Sequence, residues 1–517
     1  MKATSNLTKT ISLVLSMVML MLLASCAAAP GGSMNGDSAY YPNYSGSAPG
    51  DDGMGDSLAG EGYTEITENS FVNTAENNTS YFSIDANTAS YPNLRSIISK
   101  GYNVPKDAVR IEEMLNYFSY DYNTPEGDMI LGLNASMFDN PYNPETKLLT
   151  IGLAAEEVDF SGVKNNLVFL IDTSGSMFSD DKLPLVQQAF MMLAENLNPE
   201  DRVSIVTYAG SQRVALDGAY GYEKAKIIAV IDDLEAGGST AGAAGINTAY
   251  ELAEKYFIEG GNNRVILATD GDFNVGVSST KGLENLISEK RESGVYFSVY
   301  GVGRGNLQSA KMETLALKGN GTYSYIDSVK EAKKALVEGI GGSIVTVAKD
   351  VKAGITFNTE WIESFRLVGY ENKLLTEDEF NDSTTDAGEL GSGHTVTVVY
   401  EVKLVNDDKV YQEGMDVIAN VTIKYKPTEN IGGDATEEEE LNMAILQGAY
   451  KASPSEQDLF IASVIEFGLI LRDSEYKAEA NLEELITQLE NLDLSGDEFK
   501  AELRELVKLY AENTKEK

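Results

Sequence analysis

Three short polar segments carry the residue types that could bind a metal ion. The first is Asp172-Thr173-Ser174-Gly175-Ser176, which offers one carboxylate and two hydroxyls from a single tight turn. The others are Gly237-Gly238-Ser239-Thr240 and Ala268-Thr269-Asp270-Gly271-Asp272. Oxygen ligands of this kind suit Mg²⁺, Mn²⁺ or Ca²⁺, and an ion held by few carboxylates keeps a coordination position open for a carboxylate from a partner. The chemistry on offer is binding, and the alternative is that these residues only cap and turn the ends of strands.

The amino-acid counts remove several other kinds of site. The 517 residues include one cysteine, Cys26, and one histidine, His394. These counts exclude a disulfide scaffold, a Cys/His zinc cluster, a catalytic Cys-His pair in the mature core and any triad that needs a second imidazole. The net charge of −40 would be repelled by phosphate backbones, so nucleic acid is a poor candidate partner.

The elements that must position the three polar segments follow one another as strand and helix from Asn166 onward. The run from Leu167 to Ile171 is continuously apolar, as in a parallel strand that is covered on both faces. Further strands and amphipathic helices alternate until a last helix from Glu331 to Gly339. This order predicts an open, doubly wound α/β domain. Ligands of such domains bind beyond the carboxyl ends of the strands, which is where Asp172 and Asp270 fall.

These segments resemble a known family. Residues 166 to about 340 look like a von Willebrand factor type A (VWA) domain, which has a Rossmann-like α/β fold with a mainly parallel, doubly wound sheet. The match includes an intact metal-ion-dependent adhesion site. The resemblance implies Mg²⁺ as the ion, with Mn²⁺ or Ca²⁺ as alternatives. It also implies that the metal ligands are Asp172, Ser174, Ser176, Thr240 and Asp270.

Segments outside the VWA domain resemble a bacterial family of VWA lipoproteins that carries an extra N-terminal domain and a C-terminal domain of unknown function. On the N-terminal side the similar segments are 82–91 and 109–118. On the C-terminal side they are 370–372, 386–389 and 393–396. The resemblance therefore extends over most of the chain, but it brings no assigned activity with it.

The first residues predict where the protein is located. Lys2 and Lys9 precede an apolar run that is too short to span a membrane comfortably but is typical of a secretory signal. The run leads into Leu23-Ala24-Ser25-Cys26, which resembles the lipobox of bacterial lipoproteins. We therefore expect cleavage before Cys26, lipidation of Cys26, and an extracytoplasmic protein anchored to a membrane of the cell envelope.

Composition and periodicity divide the chain further. The strands of 126–160 have no core of their own, so we expect them to pair with the β-rich C-terminal domain in one sandwich, with the VWA domain inserted between them. In the competing arrangement, each domain contacts only its neighbours in the sequence. In the last region we expect helices, the first of them from Leu441 to Ala452. The predicted segments are a signal peptide (1–25), a disordered tether (26–68), an N-terminal helical segment (69–125), the strands (126–160), the VWA domain (161–341), the β-rich domain (342–430) and an acidic linker with helices (431–517).

These sequence features are compatible with three classes of function. The favoured one is a membrane-anchored lipoprotein that uses its metal to bind a protein partner, in adhesion or envelope assembly. The second is a structural envelope lipoprotein whose metal only stabilises the fold. The third is a Mg²⁺-dependent hydrolase with Asp172 as nucleophile, but Ser174 stands where such enzymes carry a second aspartate. We therefore expect that the protein is not an enzyme.

Overall fold

The computed structural model describes residues 58, 60–125, 127, 129–159, 162–238, 242–271, 280–338, 346–406, 414–428 and 437–515. All of these residues belong to one compact unit that extends from Gly53 to Lys517. The signal peptide and Cys26 lie outside the described residues, as do Thr240 and Asp272. Among the helices described, none combines the length and the apolar character that crossing a membrane requires.

The strands and helices are numbered in chain order within the described residues. The strands are β1 (Val72–Asn73), β2 (Thr79–Ser83), β3 (Leu131–Asp139), β4 (Lys147–Ala155), β5 (Asn165–Asp172), β6 (Arg202–Tyr208), β7 (Gln212–Tyr220), β8 (Asn262–Thr269), β9 (Tyr296–Val302), β10 (Tyr323–Ile326), β11 (Thr346–Phe357), β12 (Ile362–Val368), β13 (Gly388–Gly391), β14 (Thr395–Leu404), β15 (Val417–Pro427), β16 (Glu439–Leu446) and β17 (Tyr450–Lys451). The helices are α1 (Ser90–Ser99), α2 (Ile111–Asn116), α3 (Leu183–Glu195), α4 (Lys224–Asp232), α5 (Gly242–Lys255), α6 (Thr280–Arg291), α7 (Ser309–Lys318), α8 (Val329–Ala332, continued by a π-helical turn at Lys333–Glu338), α9 (Glu377–Asn381), α10 (Glu456–Arg472), α11 (Leu482–Asn491) and α12 (Glu498–Lys515).

The α/β domain is built on a sheet with the strand order β10-β9-β8-β5-β6-β7. All neighbours are parallel except β7, which runs antiparallel to β6 at the edge. Alternate residues of β5 face opposite layers of helices. Leu167 and Phe169 pack with α3 and α4, whereas Val168 and Leu170 pack with α5, α6 and α7. Both faces are covered, which explains the unbroken apolar run and confirms the doubly wound α/β fold.

Strand β7 was not predicted from the sequence. Its first residues are polar and exposed, and its pairing with β6 contains register shifts. An edge strand with one partner and little burial has no strong alternation of apolar and polar residues to reveal it.

The other two sheets enclose a shared apolar core and form a β-sandwich. One sheet has the order β1-β12-β14-β4-β3-β17, and the other has the order β13-β11-β15-β16 with β2 added beside β11. Strand β4 pairs with β14 from Lys147↔Val402 to Ala154↔Thr395. The chain therefore leaves the sandwich after β4, forms the α/β domain, and returns to the sandwich at β11.

The predicted helix from Leu441 to Ala452 is wrong. Leucine, methionine and alanine at 441–446 favour a helix, but the segment is strand β16 and pairs with β15 along its length. Side chains reinforce this pairing, because Lys424 lies 3.4 Å from Glu440 and the Thr422 hydroxyl donates to Asn442. The hydrogen bonds offered by the open edge of β15 outweigh a weak local helix propensity.

Two predictions for the N-terminal part are also wrong. The segment 69–125 is not only helical, because β1 joins β12 and β2 joins β11. These short strands gain their hydrogen bonds only from distant sheets, so local sequence does not indicate them. The end of the segment predicted to be a disordered tether is ordered from residue 60. Its backbone bonds to the α/β domain, where Gly62 donates to Leu307 and accepts from Ser309.

A third core joins the two ends of the chain, with α1 and α2 packed against α10, α11 and α12. Glu112 of α2 is 1% exposed, and neither of its carboxylate oxygens has a hydrogen-bond partner within the described residues. Burial raises the pKa of Glu112 to about 7, and Glu371 adds to the rise, while Arg110 and Arg472 oppose it. An ionised Glu112 is therefore unfavourable in the folded protein.

Glu112→Gln is expected to stabilise the protein at pH 8 but much less at pH 5. The folded pKa lies above the ordinary value of the unfolded chain, so the stability that neutral Glu112 allows is present at low pH and is lost as the pH rises towards 7. Glutamine carries no charge at either pH. The advantage of the variant in free energy of unfolding should grow by about 2 kcal/mol from pH 5 to pH 8, as measured by urea denaturation. A pH-independent difference would contradict this expectation.

Candidate metal centre

Two aspartates leave the α/β sheet at the same edge. Strand β5 ends at Asp172, and the adjacent parallel strand β8 ends at Thr269, directly before Asp270. The register aligns Ile171 with Ala268, so the two chains reach the carboxyl edge of the sheet side by side. Both carboxylates are buried. The structure therefore brings together the two acidic residues that the sequence predicted at one site.

The Asp172 carboxylate is held by three donors. One oxygen accepts from the Ser174 backbone N–H at 2.9 Å, and the other accepts from the Tyr208 hydroxyl at 3.2 Å and the Thr269 hydroxyl at 3.1 Å. Burial raises the pKa of Asp172, the hydrogen bonds with Ser174 lower it, and the neighbouring Asp270 adds to the rise. A divalent ion would reverse this unfavourable balance by compensating both carboxylates.

The two serines of the turn after β5 lie next to each other. A short 3₁₀ turn from Gly175 to Phe178 follows Ser174, and the Ser174 and Ser176 hydroxyl oxygens are 3.0 Å apart. The two hydroxyls are hydrogen-bonded to each other in the turn that directly follows Asp172. The predicted residues Asp172, Ser174, Ser176 and Asp270 thus surround the carboxyl ends of two neighbouring strands.

Thr240 lies outside the described residues, but the loop that leads to it is anchored at the same place. The Gly237 N–H donates to the Thr173 carbonyl at 2.8 Å, and the Gly175 N–H donates to the Gly238 carbonyl at 3.1 Å. Gly237 and Gly238, the last described residues before Thr240, therefore lie against the turn that carries Ser174 and Ser176. Asp272 also lies outside the described residues.

Several residues that contact the two aspartates were not predicted from the sequence. Tyr208 and Thr269 end the strands on either side of β5, so the strand order could have revealed them. Lys182 and Asn306 both donate to one oxygen of Asp270, at 2.8 and 3.3 Å. No local pattern indicates these contacts, because they join segments 88 and 36 residues apart.

The donor set fits a divalent ion. It consists of two buried carboxylates and two hydroxyls, all hard oxygen ligands. The arrangement could hold Mg²⁺, Mn²⁺ or Ca²⁺, and an ion held by so few protein oxygens would supply an open coordination position to an acidic ligand.

Comparisons with known proteins agree with this architecture. A family profile described as von Willebrand factor type A domain matches residues 166–339. A profile described as von Willebrand factor matches residues 57–150, and one described as uncharacterized protein YfbK, C-terminal, matches residues 342–513. The uncharacterized protein YfbK of Escherichia coli K12 is 37% identical over 473 residues, which cover 86% of this chain and 80% of YfbK.

Two solved structures are similar to parts of the chain. The ArnB paralog VWA2 of Sulfolobus acidocaldarius is 16% identical, with a TM-score of 0.36 over 74% of this chain and 96% of that chain. Proximal thread matrix protein 1 of the mussel byssus, solved with zinc in its MIDAS motif, is 23% identical, with a TM-score of 0.29 over 35% of this chain and 45% of that chain. The extent of the similarity to the E. coli protein is what decides the assignment: the chain belongs to the YfbK family, and its residues 166–339 form a VWA domain.

Proposed function

We propose that this protein is an extracytoplasmic lipoprotein that binds a protein partner through a divalent metal ion in its VWA domain. The ion is Mg²⁺, with Mn²⁺ or Ca²⁺ as alternatives, and its ligands are Asp172, Ser174, Ser176, Thr240 and Asp270. The observation that carries the proposal is the convergence of buried carboxylates and hydroxyls at one edge of the sheet. VWA domains commonly bind a divalent metal, and the family is one of protein interaction and adhesion.

The proposed partner supplies a carboxylate. The protein's own oxygens around the site are two carboxylates and several hydroxyls, so a dication there would be close to charge balance and would still attract an acidic group. This carboxylate would come from the acidic side chain of a protein, in adhesion or in assembly of the cell envelope.

Partner capture tests this function. Full-length protein is incubated with an envelope extract in Mg²⁺ or in chelator, beside the Asp172→Ala variant and, as a control, Asp233→Ala, which removes an exposed acid of the same domain. We expect a partner that is retained only by wild type and Asp233→Ala in Mg²⁺. Capture of the partner that persists both in chelator and with the Asp172→Ala variant would contradict the proposal.

Two alternatives predict different results when the same protein is compared in Mg²⁺ and in chelator. A structural lipoprotein would lose thermal stability in chelator without releasing a partner. A hydrolase would turn over a phosphoester in Mg²⁺ but not in chelator. We favour binding over catalysis because Ser174 occupies the position at which an aspartyl-nucleophile phosphatase needs its second acid.

The two aspartates of the third segment should differ in their effect on the metal. Asp270→Ala is expected to lower divalent-ion affinity far more than Asp272→Ala, because only Asp270 matches a ligand position, and the loss of residues behind the ligands typically costs about 10 to 100-fold. Calorimetric titration of both variants with Mg²⁺ or Mn²⁺ measures the difference, and equal losses would remove Asp270 from the ligand set.

The proposed anchor is a lipidated Cys26, which would hold the protein on a membrane of the cell envelope. The supporting observation is that the one cysteine of the chain follows an apolar signal-like run. Cell fractionation of a Cys26→Ser variant tests the anchor, because a folded variant that still sediments with membranes would contradict it.

A further inference from the structure

The Lys182 ammonium forms an ion pair with the Asp270 carboxylate. Lys182 Nζ lies 2.8 Å from Asp270 Oδ2, and the same oxygen also accepts from the Asn306 side chain at 3.3 Å. The Lys182 side chain is 9% exposed, and that of Asp270 is 0% exposed. This pair is therefore a buried ion pair at the proposed metal centre and not a surface contact.

The fold makes room for this lysine. Its stem crosses the backbone of Gly303, where a Cβ atom would lie 2.4 Å from both Cγ and Cε of Lys182. Gly303 has a φ of +70°, which also favours glycine. Lys182 itself lies at the start of α3, on the segment that continues from the Asp172–Ser176 turn. The segment from Asp172 to Lys182 thus carries several proposed metal ligands. It also carries a positive charge, on Lys182, that contacts a further proposed ligand, Asp270.

Charge makes the lysine and a metal ion alternatives at Asp270. Asp172 and Asp270 together carry two negative charges, which one divalent ion balances. A dication and an ammonium a few ångströms apart in a buried site would repel each other strongly, because little water screens them. A metal that takes Asp270 Oδ2 as ligand must also displace the donors that now occupy this oxygen.

We propose that Lys182 is a built-in competitor of the divalent ion, and this inference rests on the proposed metal-binding function. Without metal the ammonium neutralises Asp270 and keeps the buried carboxylate paired. When metal binds, the ammonium leaves Asp270 and moves towards solvent. Lys182 therefore weakens metal binding and makes the site responsive to the concentration of the ion.

The first test is calorimetric titration of the full-length protein with Mg²⁺ or Mn²⁺ alone. Because Lys182→Met removes a like charge from the buried site, this variant is expected to bind the ion about tenfold more tightly or better, and Lys182→Arg, which keeps the charge, should stay within about threefold of wild type. Lys255→Met is the matched control. It removes the same charge from the same domain, but from a half-exposed pair with Asp217, and it should leave the affinity unchanged.

Unchanged or weaker binding by Lys182→Met, with normal binding by wild type, would overturn this inference and leave the proposed function intact. Binding of the ion by neither protein would overturn the proposed metal site and this inference together. Thermal melts in chelator check that Lys182→Met folds, and the rise in melting temperature on adding metal should be larger for this variant than for wild type.

The second test uses the unmodified protein and does not depend on a variant. Brief acylation with an amine-reactive ester, followed by mass spectrometry of peptides, measures the reactivity of Lys182 with and without Mg²⁺. We expect its labelling to rise several-fold in Mg²⁺, while that of Lys255 stays constant. Labelling of Lys182 that does not change while the ion is bound would overturn the proposal.

Discussion

A fragment of residues 344–430 is expected to lack a cooperative unfolding transition when it is expressed alone. It contains β11 to β15 but loses the partners of these strands, since β14 pairs with β4, β12 with β1, and β11 with β2. The missing strands also supply part of the sandwich core, including Leu131, Met137, Leu149 and Ile151. Exposed sheet edges and an incomplete core leave too little buried apolar surface to offset the entropy of ordering the chain.

Fusion of residues 125–158 to this fragment should restore much of the transition, because it returns β3 and β4 to the sheet. Trp361 reports on the result, since it is the only tryptophan and packs against the sandwich core. We expect a sharp change of tryptophan fluorescence on urea unfolding of the fusion and a shallow slope for the fragment. A fragment of 344–430 that melts cooperatively would show that the sandwich does not need the strands before the VWA domain.

Arg95→Ala is expected to lower the free energy of unfolding by about 3–5 kcal/mol. The guanidinium of this α1 residue lies 2.6 Å from Asp327 and 2.7 Å from Glu331, and it also bonds to Glu502 and the Tyr117 hydroxyl. Its side chain is 9% exposed, and those of Asp327 and Glu331 are 8% and 3% exposed. The substitution would leave these buried carboxylates without their shared cation.

Two variants separate this effect from a general loss of charge. Arg95→Lys keeps the charge but not the planar, forked donors, so it should fall between wild type and Arg95→Ala. Arg504→Ala removes a partly exposed partner of the exposed Glu505 and should cost less than about 1 kcal/mol. Urea denaturation at neutral pH measures all three. A loss of under about 1 kcal/mol for Arg95→Ala would show that the remaining cations, Lys330 and Lys334, suffice.

The Arg95 ion pairs also bear on how the metal site communicates with the rest of the chain. Glu331 lies in α8, the last helical segment of the VWA domain, and Asp327 lies just before it, whereas Arg95 lies in the N-terminal part and Glu502 in α12. A shift of this segment would disturb its buried ion pairs with Arg95 and the partly exposed pair of Lys330 with Glu502 of α12. The Gly303–Gln308 loop offers a second connection, since it contacts Asp270 through Asn306 and bonds to the N-terminal segment at Gly62.

The placement of Asp172 and Asp270 at one edge of the sheet could be predicted from sequence because its determinants are local. The apolar run before Asp172 indicates a strand that is buried on both faces, and a polar turn follows it directly. Asp270 follows a second such run. Parallel strands of one sheet end at the same edge, so two local signals suffice to place two carboxylates together.

Only the tertiary structure decided which strands complete the sandwich and what neutralises Asp270. The segment 441–446 favours a helix by composition, yet it is a strand because β15 presents an open edge to it. Lys182 is unremarkable in the sequence, and its ammonium reaches Asp270 only because Gly303 lacks a side chain and lets the stem pass. Hydrogen bonds and charges between segments far apart in the chain depend on distances in space, which residue types and spacing along one chain do not encode.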